Sequence, residues 1–143
     1  MSRQVEIERS FRGNPGDGSD LEFRPIKTSD VPLLTPVFKK HGNALRDFLR
    51  DYEWSSTWDF KTAATFVNDA WSAEFPNFTY LFLKGKQVVG LGQLGSHNGS
   101  LYDVQIVLWV NPDHQGHGYG RRIGATLRKV ALEIWGFNSF SWI

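Results

Sequence analysis

The sequence has no cysteine. That count alone excludes structural disulfides, thiolate zinc sites and a cysteine acyl intermediate. It has no excess of one charge either: the formal net charge is +1. Nucleic-acid binders carry a clear basic surplus, so a polyanion partner held by bulk electrostatics is not expected. No apolar run approaches the roughly 18 residues needed to span a bilayer. Met1 to Arg12 lacks the apolar centre of a signal peptide. The expectation is a soluble, cytoplasmic protein with no membrane partner. What is present is apolar surface: 41% of the 143 residues are hydrophobic and 15% are aromatic. That is ample for one packed domain and argues against global disorder.

Residues 1–20 read as a partly ordered extension. Weak alternation in 1–12 is followed by turn formers from Gly13 to Asp20. Leu21 to Ile26 alternates with period two, as a strand does. Thr28, Ser29 and Asp30 offer a helix cap, and helix is predicted through Phe48-Leu49 with a break near Gly42-Asn43. A second helix is predicted over 59–72, where Phe60, Ala63, Ala64, Val67 and Trp71 share a face. Strands 78–83 and 88–94 flank the turn Lys84-Gly85-Lys86-Gln87 as a hairpin. Residues 101–110 form a third strand. After a glycine-rich loop, a helix places Ile123, Leu127, Val130, Ala131 and Ile134 on one face, and Gly136 closes it. A last strand starts at Asn138. Antiparallel runs interrupted by helices indicate an α+β sheet rather than a doubly wound parallel one.

The informative segment is Gln115-Gly116-His117-Gly118-Tyr119-Gly120-Arg121-Arg122. Glycine at alternate positions lets a ligand approach the backbone, and N–H groups at a helix start form an anion-binding concavity. A pyrophosphate is the expected guest, with Arg121 and Arg122 adding positive charge. A Walker loop needs Gly-Lys-Ser/Thr, and the chain has Gly-Arg-Arg. A dinucleotide fingerprint needs G-x-G-x-x-G on an early βαβ unit. Both fail. His114 and His117 have no carboxylate or cysteine to complete a metal site, so no metal is expected. His41 and His97 are read as exposed residues of polar turns, and Trp54, Trp58 and Trp71 as core aromatics that could instead line a pocket.

Gln115 to Gly120 matches (Gln/Arg)-x-x-Gly-x-(Gly/Ala), the coenzyme A pyrophosphate motif of the GNAT superfamily. Residues 21–143 resemble that superfamily more widely, in the branch of ribosomal-protein N-terminal (RimJ/RimL-like) acetyltransferases. Leu21 to Pro25, Asn43 to Arg46 with Trp54, Gln87 to Gly92 and Trp109 to Gly116 carry the likeness. The resemblance implies an α+β GNAT fold, with a mainly antiparallel sheet flanked by helices. It also implies direct transfer of acetyl from acetyl-CoA to a primary amine, either a protein N-terminus or a small molecule. Leu108, Trp109 and Val110 should line the pantetheine and thioester. Gln115, Gly116, His117, Gly118, Tyr119, Gly120, Arg121 and Arg122 should hold the pyrophosphate.

Departures from the family pattern bear on catalysis. Relatives often carry a glutamate near Gln105, and glutamine cannot serve as that base. Asp103, on the same face of an ideal strand, is a candidate base, with a solvated strand-start residue as the plainer reading. Glu53 is a second candidate, more simply a surface charge. The family continues past the last strand with a helix and two more strands. The chain is therefore read as a GNAT domain over 21–143, truncated at its C-terminal end, with the apolar strand 140–143 as an edge for self-association. The rival reading is a catalytically silent module that binds coenzyme A or a partner protein.

Overall fold

The computed structural model describes residues 21–45, 48, 60–72, 77–95, 103–134, 136–137 and 139–142. The extension 1–20, Glu53, Trp54, Trp58, His97 and Leu101 lie outside the described residues.

Aromatic and β-branched residues build the sheet. Strands β1 (Leu21–Pro25), β2 (Phe78–Lys84), β3 (Gln87–Gly95), β4 (Asp103–Val110) and β5 (Ser139–Trp142) lie side by side in sequence order. β1 to β4 pair antiparallel, while β5 joins β4 in parallel. The predicted hairpin turns at Gly85, whose φ of 61° only glycine adopts readily. A register shift between Phe82 and Leu83 inserts one extra residue, Val89, into β3.

Helices cover both faces. On one side lie α1 (Val31–Leu45) and α2 (Phe60–Ser72). Leu34, Phe38, Leu45, Ala63, Phe66 and Val67 meet Leu81, Leu83, Leu91 and Trp109 there. Phe38 and Phe66 are ring neighbours at 5.6 Å. On the other side α3 (Tyr119–Lys129) runs into a π-helical turn at Val130–Ile134. Ile123, Leu127, Val130 and Ala131 pack on Phe23, Tyr80, Phe82, Leu94, Val104 and Ile106. Burying one such side chain stabilises the fold by about 1.5–3 kcal/mol.

α3 sits close to the sheet because β3 offers glycine beneath it. A Cβ at Gly90 would come within 2.5 Å of the Trp109 carbonyl oxygen and 2.6 Å of Ile123 Cδ1. One at Gly92 would come within 2.6 Å of Leu127 Cδ1. The glycines of Gln87–Gly92 are thus seats for the helix.

The entry to α1 differs from the expected cap. Asp30 does not cap α1 as an N-cap residue. Its buried carboxylate accepts the Lys27 N–H at 2.8 Å and both ends of the Arg24 guanidinium at 2.8 and 2.6 Å. This joins β1 to the short 3-10 turn Thr28–Asp30. α1 is regular to Lys40 and breaks at His41 (φ −122°, ψ 21°), one residue before the expected break at Gly42-Asn43. Gly136 closes the other helical unit as expected, with φ 77°, and the Phe137 N–H donates to Ala131 O at 3.0 Å. The π turn before it was not expected.

Candidate functional site

Asn111 anchors the segment between β4 and α3. It is 5% exposed. Its main-chain N–H donates to Val89 O (2.8 Å) and its side-chain amide to Val88 O (2.9 Å). Its side-chain oxygen accepts from Asp113 N at 2.9 Å, and its carbonyl accepts from His114 N at 2.8 Å. The sequence marks Asn111-Pro112 only as a turn. The Asx turn is the legible part; the bonds to the bulged strand β3 are tertiary.

Beyond this anchor main-chain hydrogen bonds become sparse. Gln115 N still reaches Pro112 O at 3.4 Å, and Arg122 N reaches Gly118 O at 3.3 Å. Between them, among the described residues, no N–H from Gly116 to Arg121 has a hydrogen-bond acceptor in the chain. Gly118, the N-cap of α3, provides no side-chain cap. Gly116 (φ 86°) and Gly118 (φ 75°) are left-handed, and a Cβ at either would meet nothing within 4 Å. Conformation requires glycine there, and the space above it is open. Gly120 differs: its Cβ would press on Val110 Cγ2 at 3.3 Å. The first turn has no acidic residue, and Arg121 and Arg122 are exposed on it. Open donors, the positive end of the helix dipole and two guanidinium groups give this segment the chemistry that suits an anion.

Tyr119 is buried against Leu21, Val89 and Val110, which fixes the helix start to the sheet. His114 and His117 flank its ring at 6.4 and 5.6 Å. No group of three or more potential metal-ligating side chains occurs among the described residues.

Among the described residues, the strand leading to the loop is unpaired on one edge beyond Ile106. Asn111 N bonding Val89 O fixes which β4 residues face β3. By the alternation of an antiparallel ladder, Val107 and Trp109 point their backbone groups at β3, whereas Leu108 and Val110 point theirs the other way. On that side the β5 ladder covers Asp103 to Ile106 and goes no further among the described residues. Leu108 and Val110 are half-buried beside the α3 face. Trp109 turns its ring into the α1/α2 core and is 7% exposed. Asp103 holds the first register position of β4, opposite Ser139.

His41 corrects its expectation. It is not an exposed turn residue: its side chain is 12% exposed and its ring centroid lies 6.5 Å from that of Trp109. Its Nε2 is 3.1 Å from Asp113 Oδ2, close but poorly aligned, an electrostatic contact rather than a full hydrogen bond. Lys40 Nζ reaches the same carboxylate at 3.0 and 3.1 Å. His41 first and then Lys40 hold the Asp113 carboxyl below the usual carboxylate range. A groove of about 540 Å³ opens beside this cluster, between Pro32, Leu33, Pro36 and Val37 of α1, the hairpin turn, and Asn111, Asp113 and His114.

The fold has known counterparts. A solved structure described as a probable acetyltransferase superposes with a TM-score of 0.72 at 17% identity, covering 93% of this chain and 73% of its own. The RimL ribosomal alpha-N-protein acetyltransferase in complex with coenzyme A gives a TM-score of 0.67 at 16% identity, covering 85% and 69%. A spermidine N-acetyltransferase chimera from Vibrio cholerae gives 0.61 at 16% identity, covering 83% and 67%. At such identities the likeness is one of fold. No curated protein matches the chain. The sequence pattern that does match runs from Leu45 through β2, β3, β4, the glycine loop and α3 to Ile143, and by it the chain belongs to the acetyltransferase (GNAT) family.

Proposed function

We propose that the chain binds acetyl-CoA and transfers its acetyl group to a primary amine. The observation that carries this is the run of unbonded N–H groups from Gly116 to Arg121, open to space above two left-handed glycines. A pyrophosphate fits that donor set in charge and in the room available. Arg121 and Arg122 add attraction that salt would screen.

From the loop, the substrate's pantetheine arm would follow the free edge of β4. The backbone groups suited to it belong to Leu108 and Val110, since Trp109 bonds toward β3. An N–H on this edge would stabilise the thioester oxygen as it gains charge during attack. Trp109 contributes from the opposite face, as a buried wall toward α1. The amine must first lose its proton, because an α-amino group has a pKa of about 8 and a lysine about 10.4. Asp103, at the start of β4, is the proposed base; it lies roughly 16 Å along the strand from Leu108, so it would act through a chain of waters rather than directly. With no cysteine, the chain offers no thiol for a covalent acyl intermediate.

The acceptor is proposed only as a class: an amine, on a protein N-terminus or a small molecule. The domain is proposed to span 21–143, and β5, with β4 as its one neighbour in the described sheet, is the proposed edge for self-association.

The test is a pair of measurements on the same protein. Calorimetry with coenzyme A should show saturable binding. A panel of amines with acetyl-CoA should then release free thiol, and Asp103→Asn should slow that release without weakening binding. Binding with no release on any amine would favour the silent module. Absence of binding would overturn the reading.

A further inference from the structure

The turn before the glycine loop is tied to the opposite layer of the molecule by charges that acetyl transfer does not use. Lys40 and His41 belong to α1, on the far side of the sheet from α3. Both reach Asp113, in the 3-10 turn Pro112–His114 that leads into the loop. An exposed lysine–carboxylate pair alone contributes little, and Lys40 and Asp113 are 65% and 43% exposed. His41 makes the arrangement more than that. Its ring is mostly buried, with Trp109 of β4 as a ring neighbour and the carboxylate at its Nε2. Its backbone is the point at which α1 leaves helical geometry. One contact therefore fixes both the end of α1 and the turn that delivers the loop.

Electrostatics gives the contact a second consequence. A carboxylate placed just before an anion-binding loop opposes its ligand unless cations compensate it. Here the compensating cation, Lys40, comes from α1. The Asp113 main chain is also joined to the strand end, its N–H donating to Asn111 Oδ1 at 2.9 Å. Immobilising the loop thus immobilises Asp113, and Asp113 holds the end of α1.

We propose that Lys40, His41 and Asp113 form a coupling clasp, three positioning residues through which an anion on the glycine loop orders the end of α1 from Lys39 to Leu45. This rests on the loop being the coenzyme site. α1 packs with α2 in one layer, so the clasp would make order at that edge of the layer depend on coenzyme binding. Coupling of this kind acts through local opening of the helix end rather than through a large displacement.

Hydrogen exchange with and without coenzyme A tests it. In the unaltered protein, coenzyme A should slow exchange of the loop amides 116–121 and, several-fold, of the α1 amides 41–45. In Asp113→Asn the loop should still be protected while 41–45 no longer respond. His41→Gln should behave the same way, and decides the matter if Asp113→Asn does not fold. Loop protection without any response at 41–45 in the unaltered protein would overturn the clasp. So would a response that survives both substitutions. Failure of coenzyme A to protect the loop at all would overturn the coenzyme site, and the clasp with it; the loop amides report that outcome separately.

Discussion

At its N-terminal end α3 begins on Gly118, in left-handed conformation, with no side-chain cap. Among the described residues, the N–H groups from Gly116 to Arg121 find no acceptor. At the other end the chain widens into a π turn, Gly136 reverses it at φ 77°, and Phe137 N–H closes on Ala131 O at 3.0 Å. Phe137 is then buried against the α3 core. Both ends use a left-handed glycine. One uses it to satisfy the helix, the other to leave it unsatisfied. Open donors on a folded helix are a cost unless water or a ligand meets them, and this difference is what supports the N-terminal end as the proposed coenzyme site.

The largest expected effect comes at that end. Gly118→Val should remove coenzyme A binding by on the order of 100-fold or more, about 2.7 kcal/mol. The side chain would stand where the phosphate belongs, and the left-handed backbone would cost roughly 1–2 kcal/mol besides. Titration calorimetry checks it, and tight binding by this variant would end the distinction between the two ends. Beneath the helix, on β3, Gly92→Val should destabilise by about 1–3 kcal/mol through overpacking against Leu127. Chemical denaturation reads that loss, and α3 itself would still be the element displaced. Gly136→Ala should cost about 1 kcal/mol of stability and leave coenzyme affinity unchanged. A matching loss of affinity would show that the closed end is not merely structural. Smallest is Arg122→Ala, which should weaken binding a few-fold and flatten its dependence on salt; an unaltered salt slope would assign Arg122 to the solvated face of α3.

Much of this was legible in the sequence because it is local. The hairpin around Gly85, the glycine loop and the closure at Gly136 each follow from a few adjacent residues with special backbone needs. The apolar face of α3 follows from periodicity; that of α2 follows in part, since Ala63 and Val67 lie in the core as expected together with Phe66, which the expected face left out. What could not be read is tertiary. His41 and Asp113 are far apart in the chain, and nothing near His41 signals a carboxylate partner, so it reads as a turn residue. Asn111 reads as a turn former because its bonds to Val88 and Val89 exist only once β3 is beside β4. The extra residue in β3 and the π turn after α3 break the periods on which strand and helix assignments rest. The direction of the β4 backbone required the register, which separated Leu108 and Val110 from Trp109.

The central claim is that the open N-terminal end of α3 is where the coenzyme's pyrophosphate is held. A heteronuclear NMR titration with coenzyme A tests it amide by amide. The amides from Gly116 to Arg121 should show the largest shifts, moving together and saturating with a single affinity. Saturable shifts centred elsewhere, with these amides unmoved, would contradict it.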